Sequence, residues 1–347
     1  MDKLKVGIAG FGIVGKRRKA CIDINPYAEV IAVCDQNNDQ MNDLSGNVKV
    51  LHDYSQLLKE ELDIVFVCMP NDIAPKVTAA SIKLGIHTFC EKPPGRFVED
   101  IQQVIKIEKS KPKIKLMYGF NHRYHDSVVE AQKIIQSKKL GKVINLKGTY
   151  GKSKLITFNQ PDWRTKRSIA GGGVLLDQGI HMVDLMRLFA GNFISVHSFV
   201  SNNFWKHDVE DNAYALMKTK NDIVGMLHSS ATQWRHRFNL EINLERGSLI
   251  LGGILSGTKS YGAETLSIIE ADPDNDGGDP KEHTIQYNHD PSWDLEVKTF
   301  IDSIINNKRI VNGNSQDALE TMKLVNAIYF ADPKWRETYD IKDFLEK

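Results

Sequence analysis

The 347-residue sequence is poor in cysteine and shows no excess of charge of either sign. Its four cysteines form no C-x-x-C pair, so we expect neither a disulfide framework nor a structural zinc site. The 45 Lys and Arg residues against 44 Asp and Glu residues give a net charge of +1. Such an even balance of positive and negative charge argues against a nucleic-acid partner.

The sequence also lacks a long apolar run. No stretch reaches the roughly 18 apolar residues that a membrane-spanning helix needs, so we expect no membrane partner. Met1 leads almost directly into the apolar run Leu4–Ala9, with no basic region, apolar core and cleavage site before it. We therefore expect no secretory signal and a cytoplasmic location, which agrees with the few cysteines.

Short apolar runs alternate with helical patterns over the first 120 residues. The candidate strands are Leu4–Ala9, Val30–Cys34, Ile64–Met69, Ile86–Cys90 and Lys115–Phe120, and the candidate helices are Val14–Asn25, Pro75–Leu84 and Val98–Lys109. Near-continuous apolar runs are typical of parallel strands that are buried on both faces. The pattern predicts an α/β Rossmann domain with a doubly wound parallel sheet over residues 1–121.

After Asn121 the pattern changes to strand after strand. A helix (Asp126–Ser137) and a strand (Lys142–Tyr150) come first, and from Phe193 to about Ile285 the strands have no long helices between them. Two amphipathic helices close the chain. We predict an α+β domain with a large, mostly antiparallel sheet over residues 122–347. The outer face of that sheet needs a cover, so we expect a homodimer or homotetramer.

A glycine-rich loop, Gly10-Phe11-Gly12-Ile13-Val14-Gly15, follows the first candidate strand and opens a helix. Gly10 allows the tight turn, Gly12 lets the backbone approach a pyrophosphate, and Gly15 lets the helix pack on the strand. Asp35 ends the second strand, 20 residues after Gly15, where a carboxylate accepts hydrogen bonds from ribose hydroxyls and repels a 2′-phosphate. The motif predicts NAD as cofactor, with NADP less favoured. The alternative is a flexible turn and a solvated Asp.

The helix that begins near Gly173 is apolar nearly all round, which indicates burial. Asp177, His181 and Asp184 fall at i, i+4 and i+7 and therefore share one face. Buried carboxylates are costly unless they are paired, so this strip points at something polar. The residues alone leave three possibilities open, namely a metal site, a structural polar seam and a catalytic array.

Two short segments combine tryptophan with cations, Trp163-Arg164-Thr165-Lys166-Arg167 and Trp234-Arg235-His236-Arg237. Arg can hold a phosphate or carboxylate through two hydrogen bonds, and Trp can stack on a sugar face. We therefore expect Trp163, Arg164 and Trp234 to bind substrate, and the cations suggest an anionic carbohydrate such as a nucleotide-linked sugar. The alternative is solvated cations and a packing Trp.

Three further segments resemble the glucose–fructose oxidoreductase / inositol dehydrogenase (Gfo/Idh/MocA) family. They are Cys68-Met69-Pro70-Asn71, Glu91-Lys92-Pro93, and Gly171-Gly172-Gly173-x3-Asp177-x3-His181-x2-Asp184. They are similar to the family's Pro-Asn turn near the nicotinamide ribose, its Glu-Lys-Pro signature and its active-site helix. The segment Ala327-Ile328-Tyr329 also resembles the family, whereas the residues after it diverge.

The resemblance implies roles for residues in both domains. Beside the glycine loop and Asp35, it implies cofactor contacts for Met69, Pro70, Asn71, Glu91 and Lys92. It implies a catalytic set of Lys92, Asp177 and His181, which also contacts substrate, and a substrate edge at Asn121 and Arg123. His181 titrates near neutral pH and suits the general base of a hydride transfer. Lys92 would bind the same substrate oxygen, and Asp177 would orient the array; Lys92 as the base is the alternative. His122 and His125 are expected to be bystanders, and no metal is expected.

Together these patterns predict a NAD-dependent oxidoreductase that moves a hydride between nicotinamide and a hydroxyl or keto carbon of a sugar, cyclitol or nucleotide-linked sugar. One alternative is a glycoside hydrolase that works by transient oxidation on bound NAD. Another is a non-catalytic NAD-binding regulator, against which the complete Lys92, Asp177 and His181 set argues.

Overall fold

The computed structural model describes residues 2–41, 44, 46–156, 162–257, 259–272, 274 and 277–345. The chain divides into two compact units. The first unit comprises residues 1–121 and 293–319, and the second unit comprises residues 122–292 and 320–347.

Residues 293–319 group with the first unit, whereas the division expected from the sequence placed them in the second domain. Aromatic packing explains the difference, because the Phe300 ring lies 6.0 Å from the Phe66 ring and 5.6 Å from the Phe89 ring. A backbone hydrogen bond adds to it, since the amide of Tyr118 donates to the carbonyl of Gly313 at 2.7 Å.

The first unit contains a parallel sheet with helices between its strands. In chain order its elements are β1 (Leu4–Ala9), α1 (Ile13–Asp23), β2 (Ala28–Cys34), β3 (Lys49–Leu51), α2 (Tyr54–Leu57), β4 (Ile64–Val67), α3 (Ala74–Lys83), β5 (His87–Glu91), α4 (Val98–Lys109) and β6 (Leu116–Gly119). The six described strands lie in the order β3-β2-β1-β4-β5-β6, and neighbouring strands run parallel. This order is that of the Rossmann fold, which confirms the expected fold class.

The strands of this sheet form because their residues are apolar on both faces. All four residues of β4 and of β6 are buried, as parallel strands covered by helices require. The elements β3 and α2 were not predicted from the sequence, because with only 3 and 4 residues they are too short to show a periodic pattern. The sheet directs its carboxyl ends, with the loops after β1, β4 and β5, to one edge.

The second unit contains a larger sheet with helices on one side. Its elements are α5 (Asp126–Ser137), β7 (Val143–Gly151), α6 (Arg167–Ala170), a π-helix (Leu175–Gly179), α7 (Ile180–Ala190), β8 (Phe193–Ser201), β9 (Asn212–Thr219), β10 (Val224–Ser230), β11 (Arg237–Leu244), β12 (Gly247–Gly252), β13 (Glu264–Glu270) and β14 (Lys281–Tyr287). The chain continues with α8 (Ser292–Ile305), α9 (Ser315–Ala331) and α10 (Pro333–Tyr339).

The described strands of the second unit lie in the order β14-β13-β12-β11-β7-β10-β9-β8. The pairing of β7 with β10 is parallel and the other described pairings are antiparallel, which confirms the expected mostly antiparallel sheet. Buried and exposed residues alternate along β9, as expected where only one face is covered. Helix α7 packs on the covered face, where Gly148 and Gly225 leave room for Met182 and Met186.

Among the described residues, no helix combines the length and the apolar character needed to cross a membrane. The four cysteines are free thiols, three of them buried and Cys68 half-buried.

Candidate functional site

The glycine loop of the first unit has the geometry of a dinucleotide-binding turn. Gly10 has φ +89°, and a Cβ there would lie 2.3 Å from the carbonyl oxygen of Cys68. A Cβ on Gly15 would lie 2.1 Å from the carbonyl oxygen of Gly10, whereas one on Gly12 would meet nothing within 4 Å. The loop therefore needs glycine at its two ends for packing, and it leaves open space at Gly12 where a pyrophosphate would approach.

The amino end of α1 also suits an anion. Gly12 is the N-cap residue, no side chain caps the helix, and the first turn contains no acidic residue. The first amides of a helix have no partner within it, and the helix dipole favours negative charge there.

Asp35 lies beside this loop, at the end of β2. Its Oδ2 accepts from the amide of Phe11 at 2.7 Å, and its Oδ1 accepts from the amide of Asn37 at 2.9 Å. An ionised carboxylate has about four acceptor positions, so the same oxygens can still accept from ribose hydroxyls. The residues present therefore fit NAD, which Gly10–Gly15 and Asp35 would hold.

The segment after β4 adjoins the glycine loop. A Cβ on Gly10 would lie 3.2 Å from Cγ of Met69, so Met69 packs directly against this turn. The carbonyl oxygen of Pro70 accepts hydrogen bonds from the amides of Ile73 and Ala74 at the start of α3. Asn71 is buried. These positions are consistent with the cofactor contacts expected for Met69, Pro70 and Asn71.

Glu91 ends β5, and its carboxylate points into the protein. It accepts from Nε of Arg18 at 2.5 Å and is 8% exposed. The contact that the structure shows for the Glu91 side chain is thus an ion pair with Arg18, and the expected cofactor contact of Glu91 stays a prediction. Lys92 follows at the carboxyl edge of the sheet, is half-buried, and precedes Pro93 through a cis peptide bond.

In the second unit, Gly172 and Gly173 of the three consecutive glycines pack against Tyr329 and Glu210. A Cβ on Gly172 would lie 2.3 Å from the Tyr329 hydroxyl, and one on Gly173 would lie 2.1 Å from the carbonyl oxygen of Glu210. The Glu210 carboxylate accepts from the amides of Gly173 at 2.7 Å and Leu175 at 2.9 Å, and from the Tyr329 hydroxyl at 2.8 Å. The glycine motif therefore fixes the start of the helical segment that presents Asp177.

That segment is a π-helix, whereas the sequence predicted a continuous α-helix. Asp177 lies in it and contacts two cations. Nζ of Lys152 lies 3.1 Å from Oδ2, and Nε of Arg164 lies 3.2 Å from Oδ1. Lys152 is 7% exposed, so its charge is compensated inside the protein. π-Helical turns inserted in helices often mark functional sites.

His181 lies one turn later, in α7, and is 5% exposed. Its ring stacks on the His122 ring with centroids 3.7 Å apart and planes 11° apart. Nε2 of His122 lies 3.1 Å from the hydroxyl of Tyr150. The imidazole that the sequence singled out is therefore held by a second imidazole, which the sequence had suggested to be a bystander.

Asp184 does not belong to the array of Asp177 and His181. Its carboxylate accepts two hydrogen bonds from Arg123, both at 2.7 Å, and one from Thr321 at 3.0 Å. Arg123 is 6% exposed. The strip inferred from α-helical spacing thus separates into two sites. Arg123 forms a buried ion pair with Asp184, and its expected role toward substrate stays a prediction.

The two tryptophan segments lie differently. The guanidinium of Arg164 contacts Asp177 and lies 4.4 Å from the Trp163 ring centroid, so Trp163 packs on a residue of the Asp177 site. Trp234 is 66% exposed and contacts the Phe204 ring edge to face at 5.5 Å. Asn121 is buried and belongs to the first unit.

Further polar side chains surround the Asp177 site. The Tyr261 hydroxyl donates to Oε1 of Gln178 at 3.1 Å, and its ring packs edge to face on Tyr150 at 5.3 Å. Burial and then the negative charge of Asp177 raise the pKa of Tyr261, so the hydroxyl keeps its proton. Burial and the charge of Lys152 lower the pKa of His236. Nε2 of His236 lies 3.2 Å from the hydroxyl of Ser153, within hydrogen-bonding distance. The site therefore offers neutral hydroxyl and imidazole groups around one carboxylate.

The second unit thus brings together Asp177, His181, Arg164 and Trp163 of the expected residues. Lys152, His122, Tyr150 and Tyr261 are additions that sequence reasoning missed. Lys152 lies two residues after the end of the predicted strand Lys142–Tyr150 and directly after β7, and that position at a strand end was the available signal. Among the described residues, no group of three or more acidic, His or Cys side chains is arranged to hold a metal ion.

The fold and the two sites define a dinucleotide-binding protein whose second unit carries a polar, carboxylate-centred site. Residues 4–120 match the family described as the oxidoreductase family with NAD-binding Rossmann fold, and residues 128–250 match the GFO/IDH/MocA C-terminal domain. The two matches together cover more than half of the chain. The chain therefore belongs to the Gfo/Idh/MocA oxidoreductase family, and its first unit is the family's NAD-binding domain.

Individual relatives are dehydrogenases by name. Levoglucosan dehydrogenase of Pseudarthrobacter phenanthrenivorans is 28% identical over 222 residues, which cover 58% of this chain and 55% of that protein. D-glucoside 3-dehydrogenase of Escherichia coli is 30% identical over 210 residues and 58% of each chain. Myo-inositol 2-dehydrogenase of Thermotoga maritima is 22% identical over 312 residues, 87% of this chain and 88% of that protein. The chain spans little more than half the length of the first two relatives.

Solved structures share the fold. A levoglucosan dehydrogenase in complex with NADH has a TM-score of 0.84 at 20% identity, covering 96% of this chain and 98% of that chain. The myo-inositol 2-dehydrogenase of Lactobacillus plantarum has a TM-score of 0.78 at 20% identity, covering 95% and 97%.

Proposed function

We propose that this chain is an NAD-dependent oxidoreductase that interconverts a hydroxyl and a keto group on a neutral hydroxylated ring, a sugar or a cyclitol. The observation that carries the proposal is the Asp177 site, where a carboxylate contacts Lys152 and Arg164 beside the stacked His181 and His122. The NAD-binding domain of the same chain supplies the redox partner.

Hydride transfer needs a proton acceptor for the hydroxyl group that is oxidised. When bound, the nicotinamide ring accepts or supplies the hydride. We propose that His181 takes the hydroxyl proton, because neutral imidazole is a base near neutral pH. Lys92, at the carboxyl edge of the first unit's sheet, is proposed to stabilise negative charge on a substrate oxygen. Asp177 is proposed to orient the substrate hydroxyl, and the ion pairs with Lys152 and Arg164 hold the Asp177 carboxylate in position.

The ring chemistry of the relatives supports a neutral substrate. Levoglucosan, D-glucosides and inositol are uncharged and rich in hydroxyl groups. The donors around Asp177 match such groups, since Tyr261 keeps its proton and Trp163 offers an aromatic face. A nucleotide-linked sugar, suggested by the sequence, has less support, because Arg164 and Lys152 already contact a carboxylate.

The outer face of the second sheet supports a homodimer or homotetramer. Phe199 pairs with Tyr214 and Leu216 pairs with Met226 across neighbouring strands. These four side chains are 79%, 48%, 49% and 50% exposed, which leaves a contiguous apolar surface. Light scattering on the purified chain tests this, and a monomer at micromolar concentration would contradict it.

A reducing, cytoplasmic location is proposed from the four free thiols.

The function is tested by following NADH formation with a panel of neutral polyols, including myo-inositol, levoglucosan and a methyl glucoside. Net NADH formation is expected with at least one of them, and NADP should serve less well. His181→Ala should abolish most of the signal, whereas His283→Ala, which removes an exposed histidine on β14, should not. NAD binding without turnover of any polyol or ketose would refute the proposal.

A further inference from the structure

Arg18 is a charged side chain in the interior of the first unit. It is 0% exposed and contacts two carboxylates from different elements. Its Nε donates to Glu91 of β5 at 2.5 Å, and its Nη2 donates to Glu296 of α8 at 2.6 Å. Burying a cation costs free energy unless carboxylate partners lie at hydrogen-bonding geometry. The burial of Arg18 between two carboxylates therefore indicates a specific role beyond filling space in the core.

The surroundings of Arg18 confine it to one position. The guanidinium lies 4.2 Å from the Trp293 ring centroid and 4.5 Å from that of Phe89. On β6, a Cβ on Gly119 would lie 3.0 Å from the Glu91 carboxylate and 3.2 Å from Nη2 of Arg18. Helices α1 and α8 and strands β5 and β6 therefore meet around this guanidinium, between two aromatic rings.

Glu91 is the last residue of β5, and Lys92 is the next residue in the chain. The side chain of Glu91 is anchored at its far end by Arg18, so the backbone at the start of the Lys92 loop is tied to the interior of the first unit. We propose that Arg18 is a positioning residue which, through Glu91, sets the location and the surroundings of the Lys92 amine. Arg18 and Glu296 contact neither the cofactor loop nor a substrate residue among the described bonds, so they act indirectly.

Glu296 completes the clamp on Arg18. Burial raises the pKa of Glu296 to about 8, while the charge of Arg18 opposes this rise and that of Glu91 adds to it. The charged and titratable groups that face Arg18 among the described residues are Glu91, Glu296, Cys68 of the loop after β4 and, on α1 itself, Cys21. The Arg18 cation and its two carboxyl partners therefore lie next to the start of the Lys92 loop.

The proposal rests on the proposed role of Lys92, so the experiment includes readouts that need no turnover. The variants are Arg18→Met, Arg18→Lys and, as a matched control on the same helix, Lys19→Met, which removes a partly exposed cation paired with Asp23. Arg18→Lys keeps the charge but loses the fork of donors that holds two carboxylates. For each, the rate at which Lys92 reacts with an amine-selective reagent is measured by mass spectrometry, with Lys76 as internal reference.

Arg18→Met is expected to change the Lys92 labelling rate by about tenfold. It should also lower kcat by about tenfold to a hundredfold, because a small displacement of a catalytic group reduces the rate by that order. NAD affinity by calorimetry and substrate KM should stay near the wild-type values, and Lys19→Met should change none of these. A folded Arg18→Met variant with wild-type Lys92 labelling would overturn the proposal.

If Arg18→Met does not fold, Arg18→Lys decides, and unchanged Lys92 labelling in that variant would equally overturn it. If no substrate is turned over by the wild-type protein, the proposed function fails, but the labelling rates still decide whether Arg18 positions Lys92.

Discussion

Removal of the Asp35 carboxylate should change cofactor choice more than any other single substitution in the first unit. In the structure this carboxylate accepts from the amide of Phe11 at 2.7 Å and from that of Asn37 at 2.9 Å, so it is fixed beside the glycine loop. Asp35→Ala removes both bonds and the acceptor for the ribose hydroxyls. It also removes the negative charge that opposes a 2′-phosphate.

The magnitude follows from the type of bond lost. A hydrogen bond to a charged group contributes about 1.5–3 kcal/mol, which corresponds to a roughly 10- to 150-fold weaker NAD complex. NADP should lose less, because the loss of repulsion offsets part of the lost bonding. The ratio of the two affinities should therefore fall by about tenfold or more.

Calorimetric titration of NAD and NADP into wild type and Asp35→Ala measures this ratio directly. Asp39→Ala is the matched control, since it removes an exposed carboxylate four residues along the same loop. Both variants should retain the wild-type unfolding midpoint to within a few degrees. An unchanged NAD-to-NADP ratio in Asp35→Ala would refute the assignment of Asp35 to the ribose.

Three further predictions concern the second unit. His181→Ala should lower kcat by about 10²- to 10⁴-fold in steady-state assays, while NAD affinity stays near the wild-type value. Arg123→Met should lower the free energy of unfolding in denaturant by about 3–5 kcal/mol, because it leaves Asp184 buried without its ion-pair partner. The third prediction concerns Glu264, whose ionisation is opposed by burial. Bonds from His125 and Ser127 nevertheless hold the pKa of Glu264 below its usual value. It therefore contributes stability above the unfolded-state pKa of about 4.3, and this contribution is lost as the pH falls through the lower folded-state pKa. Unfolding curves of Glu264→Gln at several pH values should lack that acid-dependent loss.

Each of these has an outcome that contradicts it. Wild-type turnover by His181→Ala would remove it from the proton-transfer step. For Arg123, a stable variant with a raised substrate KM would restore the substrate role expected from the sequence. For Glu264, equal acid sensitivity of wild type and Gln variant would show that its pairing with His125 does not depend on ionisation.

How much the sequence revealed depended on the range over which a residue acts. Gly10, Gly15 and Asp35 are local signals, because a turn, a helix start and a strand end follow one another within a short stretch of chain. Their places in the structure agree with the prediction from spacing alone. The order of apolar runs likewise predicted a parallel sheet followed by a mostly antiparallel one, which the strand pairing confirms.

The candidate site of the second unit shows where such inference ended. Spacing placed Asp177, His181 and Asp184 on one helical face, but a π-helical turn changes the phase before α7 begins. Asp177 then contacts Lys152, whereas Asp184 contacts Arg123. Helical periodicity predicts which residues share a face only while the hydrogen-bond pattern of the helix stays constant.

The sequence by itself determined the two folds and the glycine-rich turn of the NAD-binding domain, and it predicted a carboxylate and an imidazole close together in the second unit. These features depend on apolar periodicity, backbone freedom at glycine and residue type, all of which are local properties. Only the tertiary structure decided which cation meets which carboxylate, as with Arg18 and Glu296, which are 278 positions apart. Burial makes an unpaired charge so costly that each must find a partner, but the partner is chosen by how distant elements pack.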